Sequence, residues 1–433
     1  MPRARTPEVA FRLLSIATVL AIPAGTDAQD MGRARATITT LASPAMHGRG
    51  YVSKGDQRAA AFIRHRFREL GLSSFTPKYA QHFPITINTF PNTCQLQVDG
   101  KALVPGTDFI LEPASGRGKL TRAITVLDTL IFTNETAGQQ FLARSLQGHV
   151  LLMHQRDAER IRTLPDSFAQ HLNQAAALIT LVPDKLTASV ASEQKTQPRL
   201  QVVASRWPAQ SKQATIRVDA VLATNYRTQN IIGYVPGRVQ PDSFLVVSAH
   251  YDHLGRMGKA TYFPGANDNA SGTSLLLELA AHYAKPGNQP AYSVVFMAFG
   301  AEEAGLLGSS YFVHHPLFPL ARIRFLMNLD LAGTGQDGIT VVNGRILEDA
   351  YKTLAQLNTR YKYVANVAAR GRAANSDHHP FSEQGVPAFF LYTRGGSKAY
   401  HDVDDRPEAL PLTAFSGVFQ LVVRFFDSLT SRQ

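Results

Sequence analysis

Phe244-Leu245-Val246-Val247-Ser248-Ala249-His250-Tyr251-Asp252 holds the pattern from which the architecture follows. Residues 244–249 are a short, nearly uninterrupted apolar run, as in a strand buried on both faces of a sheet. His250 and Asp252 follow at once. The arrangement recurs downstream: residues 293–299 precede Glu302 and Glu303, residues 325–329 close on Asp330, and residues 388–392 precede His401. Ile339–Val342 reads as a further strand, and helical patterns fill residues 270–285, 304–314 and 412–429. Buried strands alternating with helices predict an α/β domain with a largely covered sheet. In open sheets of this kind ligands bind beyond the carboxyl ends of the strands. The polar residues after the strands therefore belong to segments that can meet in one crevice.

On the amino-terminal side the rhythm changes. Residues 35–72 read as helical, with Ala59, Phe62, Ile63, Phe67 and Leu70 at helical spacing and Gly71 as a stop. Residues 75 to 220 break into short β-like runs, among them 95–98 and 124–127, with apolar runs at 149–153 and 178–182 and a helical stretch over 167–177. A length of 433 residues fits two domains, or one domain carrying an insertion. The division expected is a signal segment over 1–28, a first part of the main domain over 29–80, an inserted β-rich or α/β unit over 81–220, and the main domain over 221–433.

Composition narrows the function. With 44% hydrophobic and 18% charged residues the chain is globular rather than disordered. The net charge of +11 raises the question of a nucleic-acid partner. The basic residues are scattered, with no run and no aromatic interleaving, so no nucleic-acid partner is expected. The one cysteine, Cys94, leaves no internal disulfide and no thiolate-rich metal site. Arg3, Arg5 and Arg12 precede an apolar stretch over 13–22, then Pro23 and Ala28, which reads as an export signal cleaved near Ala28. That stretch is about half of the roughly 20 residues needed to span a bilayer, so no stable membrane insertion is expected. The protein is expected to be periplasmic or secreted.

Singly, the polar residues have ordinary structural readings. An Asp in Ala266-Asn267-Asp268-Asn269-Ala270-Ser271-Gly272 suits a turn or helix cap, and Glu302-Glu303 suits a helix amino terminus. Asp330 is harder to place so, because it ends an apolar strand. Together, two imidazoles and several carboxylates without a thiolate form a ligand set for Zn²⁺ and, less selectively, Mn²⁺ or Co²⁺. Carboxylates gathered without a cation would repel one another and resist ionisation. Two cations would remove that repulsion and activate a water.

These segments resemble the zinc metallopeptidases of the M28 type, which include bacterial aminopeptidases. The resemblance rests on Ser248-Ala249-His250-Tyr251-Asp252, Gly265 to Gly272, Ala301-Glu302-Glu303-Ala304-Gly305, Asn328-Leu329-Asp330, Ser376-Asp377-His378 and Tyr400-His401. It implies a three-layer zinc-exopeptidase-like α/β fold with a mostly parallel, mixed central sheet, and a dinuclear zinc aminopeptidase acting on peptides. His250 and Asp330 resemble ligands of one zinc, Glu303 and His401 those of the other, and Asp268 the carboxylate bridging both. Glu302 resembles the general base, and Asp252 the carboxylate that orients the His250 imidazole. Asp405 resembles a supporting acid, and relatives carry a cis peptide after the bridging Asp, here Asp268-Asn269. Leu146-Gln147-Gly148-His149-Val150-Leu151-Leu152 and the run ending at Val182 resemble a protease-associated insertion, which implies a substrate-access role.

The tyrosine that some relatives place near Ser376-Asp377-His378 is missing, and Arg370, Arg372 and Arg394 stand nearby. His253, His378 and His379 are further imidazoles in these segments. A carboxypeptidase, a glutaminyl cyclase-like transferase and an inactive binding protein share the architecture and stay open as alternatives.

Overall fold

The computed structural model describes residues 29–430, so the expected signal over 1–28 lies outside the described residues. Two eight-stranded sheets organise the chain. The first runs in the order Ala80–Thr89, Val221–Val235, Tyr292–Phe299, Gln240–His250, Ile323–Leu329, Ala388–Thr393, Ile339–Val342 and Val367–Ala369. Its four middle strands are mutually parallel, and antiparallel pairings flank them on both sides, with Ile339–Val342 and Val367–Ala369 parallel at one edge, so the sheet is mixed as expected.

The apolar runs are buried on both faces because successive side chains alternate across the sheet. Leu245, Val247 and Ala249 enter one core with Phe67, Leu276 and Phe419, from the helices Gly55–Glu69, Gly272–Tyr283 and Phe415–Thr430. Phe244 and Val246 enter the opposite core with Phe312 and Phe381, from the helices Leu307–His314 and His378–Glu383. Every residue of Gly272–Tyr283 is buried, as its apolar composition demands. The product is a three-layer α/β domain.

The second sheet takes strands from Cys94–Val98 through Gln213–Val218 and has its own cores on its two faces. Its boundary differs from the expected 81. Ala80–Thr89 pairs with Val221–Val235 in the first sheet, so the inserted layer hangs between two neighbouring strands of the main domain. The expected helical stretch over 35–72 is also divided. The helices Met31–Leu41 and Gly55–Glu69 are separated by turns, where Pro44 and left-handed residues His47, Ser53 and Lys54 prevent an α-helical path. No described helix is long and apolar enough to cross a membrane.

Candidate active site

The carboxyl ends of the middle strands bring the expected residues together. His250 ends its strand, Asp330 follows Ile323–Leu329, and Glu302 and Glu303 follow Tyr292–Phe299. Asp268 lies in the turn leading into Gly272–Tyr283. Gly265 allows that turn, at φ +57°, where an added Cβ would meet the Asp268 carbonyl oxygen at 2.2 Å. The Asp268-Asn269 peptide is cis. Asp405 fixes the turn from the far side, its carboxylate accepting from Asn267 N at 2.8 Å and Asp268 N at 3.0 Å. A relay of hydrogen bonds sets Asp330: Ser248 to Asn328 at 2.8 Å, Asn328 to Ser376 at 2.8 Å, and Ser376 to Asp330 Oδ2 at 3.2 Å.

Asp268 occupies the centre. Its Oδ1 is 3.3 Å from His250 Nε2, and its Oδ2 is 3.0 Å from His401 Nε2. His250 Nε2 is also 3.4 Å from Asp330 Oδ2, and His401 Nε2 is 3.2 Å from Glu303 Oε2. Glu302 Oε2 stands 4.0 Å from His250 Nε2, at the edge of this group. Two subsets, His250 with Asp268 and Glu303, and His250 with Glu302 and Asp330, place their ligand atoms within 4.8 Å of one another.

Asp252 departs from its expected contact. Its carboxylate is 3.8 Å from His250 Nδ1, and the imidazole instead lies 3.2 Å from the Asp252 main-chain oxygen. The carboxylate is engaged elsewhere, accepting from Glu302 N at 3.1 Å and from the Tyr51 hydroxyl at 3.1 Å. The strand ends at His250, and the carbonyl two residues on meets the ring. Asp252 thus holds the main chain of Glu302 through its side chain and the His250 ring through its backbone.

Electrostatics show what the group lacks. Burial alone would lower the His250 imidazole, but Glu302, Asp330 and the bond to Asp268 carry it well above its usual range. His401 is likewise pushed up to about 11, burial being outweighed by Glu303 and Asp268. Burial, reinforced by Asp377, Glu303 and Asp330 and opposed by His250, drives Glu302 well above the ordinary carboxylate range. Burial would raise Glu303, but His401 and His253 hold it down to about 2. The imidazoles and Glu302 are thus drawn toward their protonated forms, as expected in a carboxylate cluster short of positive charge. Asp330 Oδ1 is buried with no hydrogen-bond partner. An orphaned carboxylate oxygen beside imidazole nitrogens fits a divalent cation held by nitrogen and oxygen donors.

Other neighbours complete the surroundings, and of these Arg49 had no signal in the sequence. His253, one of the extra imidazoles, gives Glu303 a second partner, its Nδ1 lying 2.7 Å from Oε1. Tyr400, beside the expected His401, stacks on that imidazole at 4.0 Å and helps line the cleft with Leu331, Asn375, Phe390 and Tyr392. Arg49 lies wholly buried beneath the site. His378 is buried against Phe390 with neither ring nitrogen hydrogen-bonded, and His379 faces Glu383 at 3.9 Å. Arg370, Arg372 and Arg394 are not among the residues lining the cleft, and those described include no Lys or Arg.

Residues 230–426 match the model of peptidase family M28. Aminopeptidase YwaD of Bacillus subtilis (strain 168) is 35% identical over 208 residues, which span 46% of this chain and 44% of that protein. Leupeptin-inactivating enzyme 1 of Streptomyces exfoliatus is 33% identical over 175 residues, spanning 40% and 36%. The chain thus covers less than half the length of these curated relatives. Among solved structures, BSAP, a zinc aminopeptidase from Bacillus subtilis, matches with a TM-score of 0.67 at 23% identity, covering 91% of this chain and 94% of that one. The peptidase M28 precursor from Shewanella amazonensis SB2B matches with a TM-score of 0.67 at 15% identity, covering 93% and 94%. These two likenesses establish the fold across both sheets.

Proposed function

We propose, from the match of residues 230–426 to the model of peptidase family M28, that the chain is an exported dinuclear zinc aminopeptidase. The observation carrying this reading is Asp268, whose two oxygens face two different imidazoles at 3.3 and 3.0 Å. His250 and Asp330 would hold one ion, Glu303 and His401 the other, with Asp268 between them. When bound, such ions supply Lewis acidity toward a carbonyl and make a water more acidic.

The remaining chemistry belongs to the chain. Glu302, unengaged by Asp268 and held through its amide by Asp252, takes the proton of the attacking water and returns it to the leaving amine. Asp405 and Asp252 hold the segments bearing Asp268 and Glu302 in place.

The cleft also favours an amine over a carboxylate as the anchored end of the substrate. Carboxylates line it, whereas a C-terminal carboxylate needs a fixed cation, and the described lining residues include no Lys or Arg. The named activities of the relatives, aminopeptidase and zinc aminopeptidase, support the same reading.

The test is a panel of free-amine, N-blocked and C-blocked peptides with metal analysis of the purified protein. Cleavage confined to peptides with a free amine, and two zinc ions per chain, are expected. Equal cleavage of N-blocked peptides overturns the reading. A cyclised product from Gln-initiated peptides, with one zinc, identifies a transferase instead. Export is tested by the amino terminus of the protein recovered outside the cytoplasm, expected near Gln29.

A further inference from the structure

The loop over 183–198 leaves the inserted layer after Ala177–Val182 and rejoins it at Arg199–Val203. Between those strands it meets the segment carrying His401. Ala188 N donates to the His401 main-chain oxygen at 2.9 Å, and His401 Nδ1 lies 2.9 Å from the Ala188 carbonyl oxygen. A carbonyl oxygen only accepts, so Nδ1 carries the hydrogen. A neutral imidazole in this position therefore presents its lone pair at Nε2, the nitrogen that faces Asp268 and Glu303.

The same contact holds an unfavourable backbone. His401 has φ +54°, the left-handed region that residues with a Cβ avoid. Such conformations persist where surrounding bonds over-determine them. Further ties bind the loop. Lys185 Nζ lies 2.8 Å from Asp402 Oδ2 and donates to Lys398 O at 2.9 Å. Asn88 N donates to Ala191 O at 2.8 Å, fastening the loop to the first sheet beyond Ala188. Ala188 itself is buried.

We propose that the loop over 183–198 positions His401 for metal binding, fixing both the backbone and the tautomer of that imidazole, so that the inserted layer sets how tightly one of the two ions is held. The proposal rests on the reading of His401 as a metal ligand given above. Outer partners of metal-bound histidines orient the ring and tune the affinity, and here the partner comes from the inserted layer. Ala188 and Lys185 touch neither substrate nor metal; they act through His401.

The test compares wild type with Ala188→Pro, Lys185→Met, Lys185→Arg and His401→Ala. Zinc affinity is measured by competition with a chromophoric chelator, alongside kcat and KM on a free-amine peptide. Ala188→Pro removes the N–H that restrains the His401 backbone, and should weaken one of the two ions by about tenfold or more. Its kcat should fall by a similar factor while KM changes little. Lys185→Met should shift the same quantities in the same direction by a smaller factor, and Lys185→Arg should restore them. Lys185 is partly exposed, so that pair decides the question if Ala188→Pro fails to fold.

Wild-type zinc affinity and kcat in folded Ala188→Pro and in Lys185→Met, with His401→Ala losing an ion, overturn the positioning role alone. If His401→Ala keeps both ions and normal turnover, the metal reading of His401 fails, and this proposal with it.

Discussion

Arg49 donates from Nη2 to the Asp268 main-chain oxygen at 3.1 Å, beneath the carboxylate that faces both His250 and His401. The guanidinium has five N–H donors, and each finds a backbone oxygen: Tyr251, Leu41, Pro264, Gly265 and Asp268. Burial lowers its pKa to about 10, against the pull of Asp405, Asp268, Asp252 and Glu303. It therefore stays charged at neutral pH, a fixed cation at the base of an acidic site.

Arg49→Met should consequently destabilise the fold by about 3 kcal/mol or more, because several buried carbonyls lose a donor together. Arg49→Lys should recover only part of this, since an ammonium has three donors and no fork. Urea unfolding midpoints measure both. A wild-type midpoint in Arg49→Met would show that the carbonyl cradle contributes nothing to stability.

Glu302→Gln tests the base. The amide keeps the shape and loses the proton acceptor, so kcat should fall by about 10²–10⁴ while zinc content stays unchanged. Near-normal hydrolysis by this variant would remove Glu302 from the chemistry.

The strands ending at Phe299, Leu329 and His250 were legible because a run buried on both faces leaves a continuous apolar signature. Their polar successors were legible because a carboxylate or imidazole beside such a run has few structural uses. What escaped was contact made through the backbone. Nothing in the sequence shows that the Asp252 carbonyl lies closer to the His250 ring than its carboxylate does. Nor does it show that a carbonyl at Ala188 meets His401 from more than two hundred residues away. Arg49 was hidden in a segment read as helix, where Pro44 and left-handed residues build a turn instead. Ala80–Thr89 overlaps the expected insertion because a strand's composition does not tell which sheet it joins.

Metal removal should act on stability as well as activity. Zinc bound only by the folded state, at about a hundred times its dissociation constant, stabilises by about 3 kcal/mol. Dialysis against a chelator should therefore abolish hydrolysis and lower the thermal midpoint, and both should return on adding zinc. Activity that survives complete zinc removal, checked by metal analysis, contradicts the proposed chemistry.

Cys94 should be silent in the folded protein. It is 7% exposed, and burial pushes its thiol up to about 12. The thiolate is the reactive form, so a disulfide reagent at pH 8 should titrate almost nothing without denaturant and one thiol per chain with it. Rapid reaction of the native protein would show that the strand Cys94–Val98 opens readily.

Asp56 makes the stability depend on pH in a direction opposite to the usual salt-bridged carboxylate. It sits buried in the first turn of Gly55–Glu69, accepting from the Tyr226 hydroxyl at 2.5 Å and the Thr228 hydroxyl at 2.9 Å. Burial raises its pKa from 3.8 to about 6, although both hydroxyls oppose the shift. The folded chain then binds this proton more tightly than the unfolded chain between those two values. Its contribution to stability is complete below the lower value and is lost as pH rises through about 6, a difference of about 3 kcal/mol. Asp56→Asn cannot ionise, and its amide oxygen still accepts from Tyr226. Relative to wild type, this variant should therefore gain about 2–3 kcal/mol between pH 4 and pH 7.5, whatever fixed offset the amide introduces. Urea unfolding of both proteins across that range measures the gain. A constant difference at every pH would mean that Asp56 titrates alike in the folded and unfolded chains, and that burial at the head of this helix does not hold its proton.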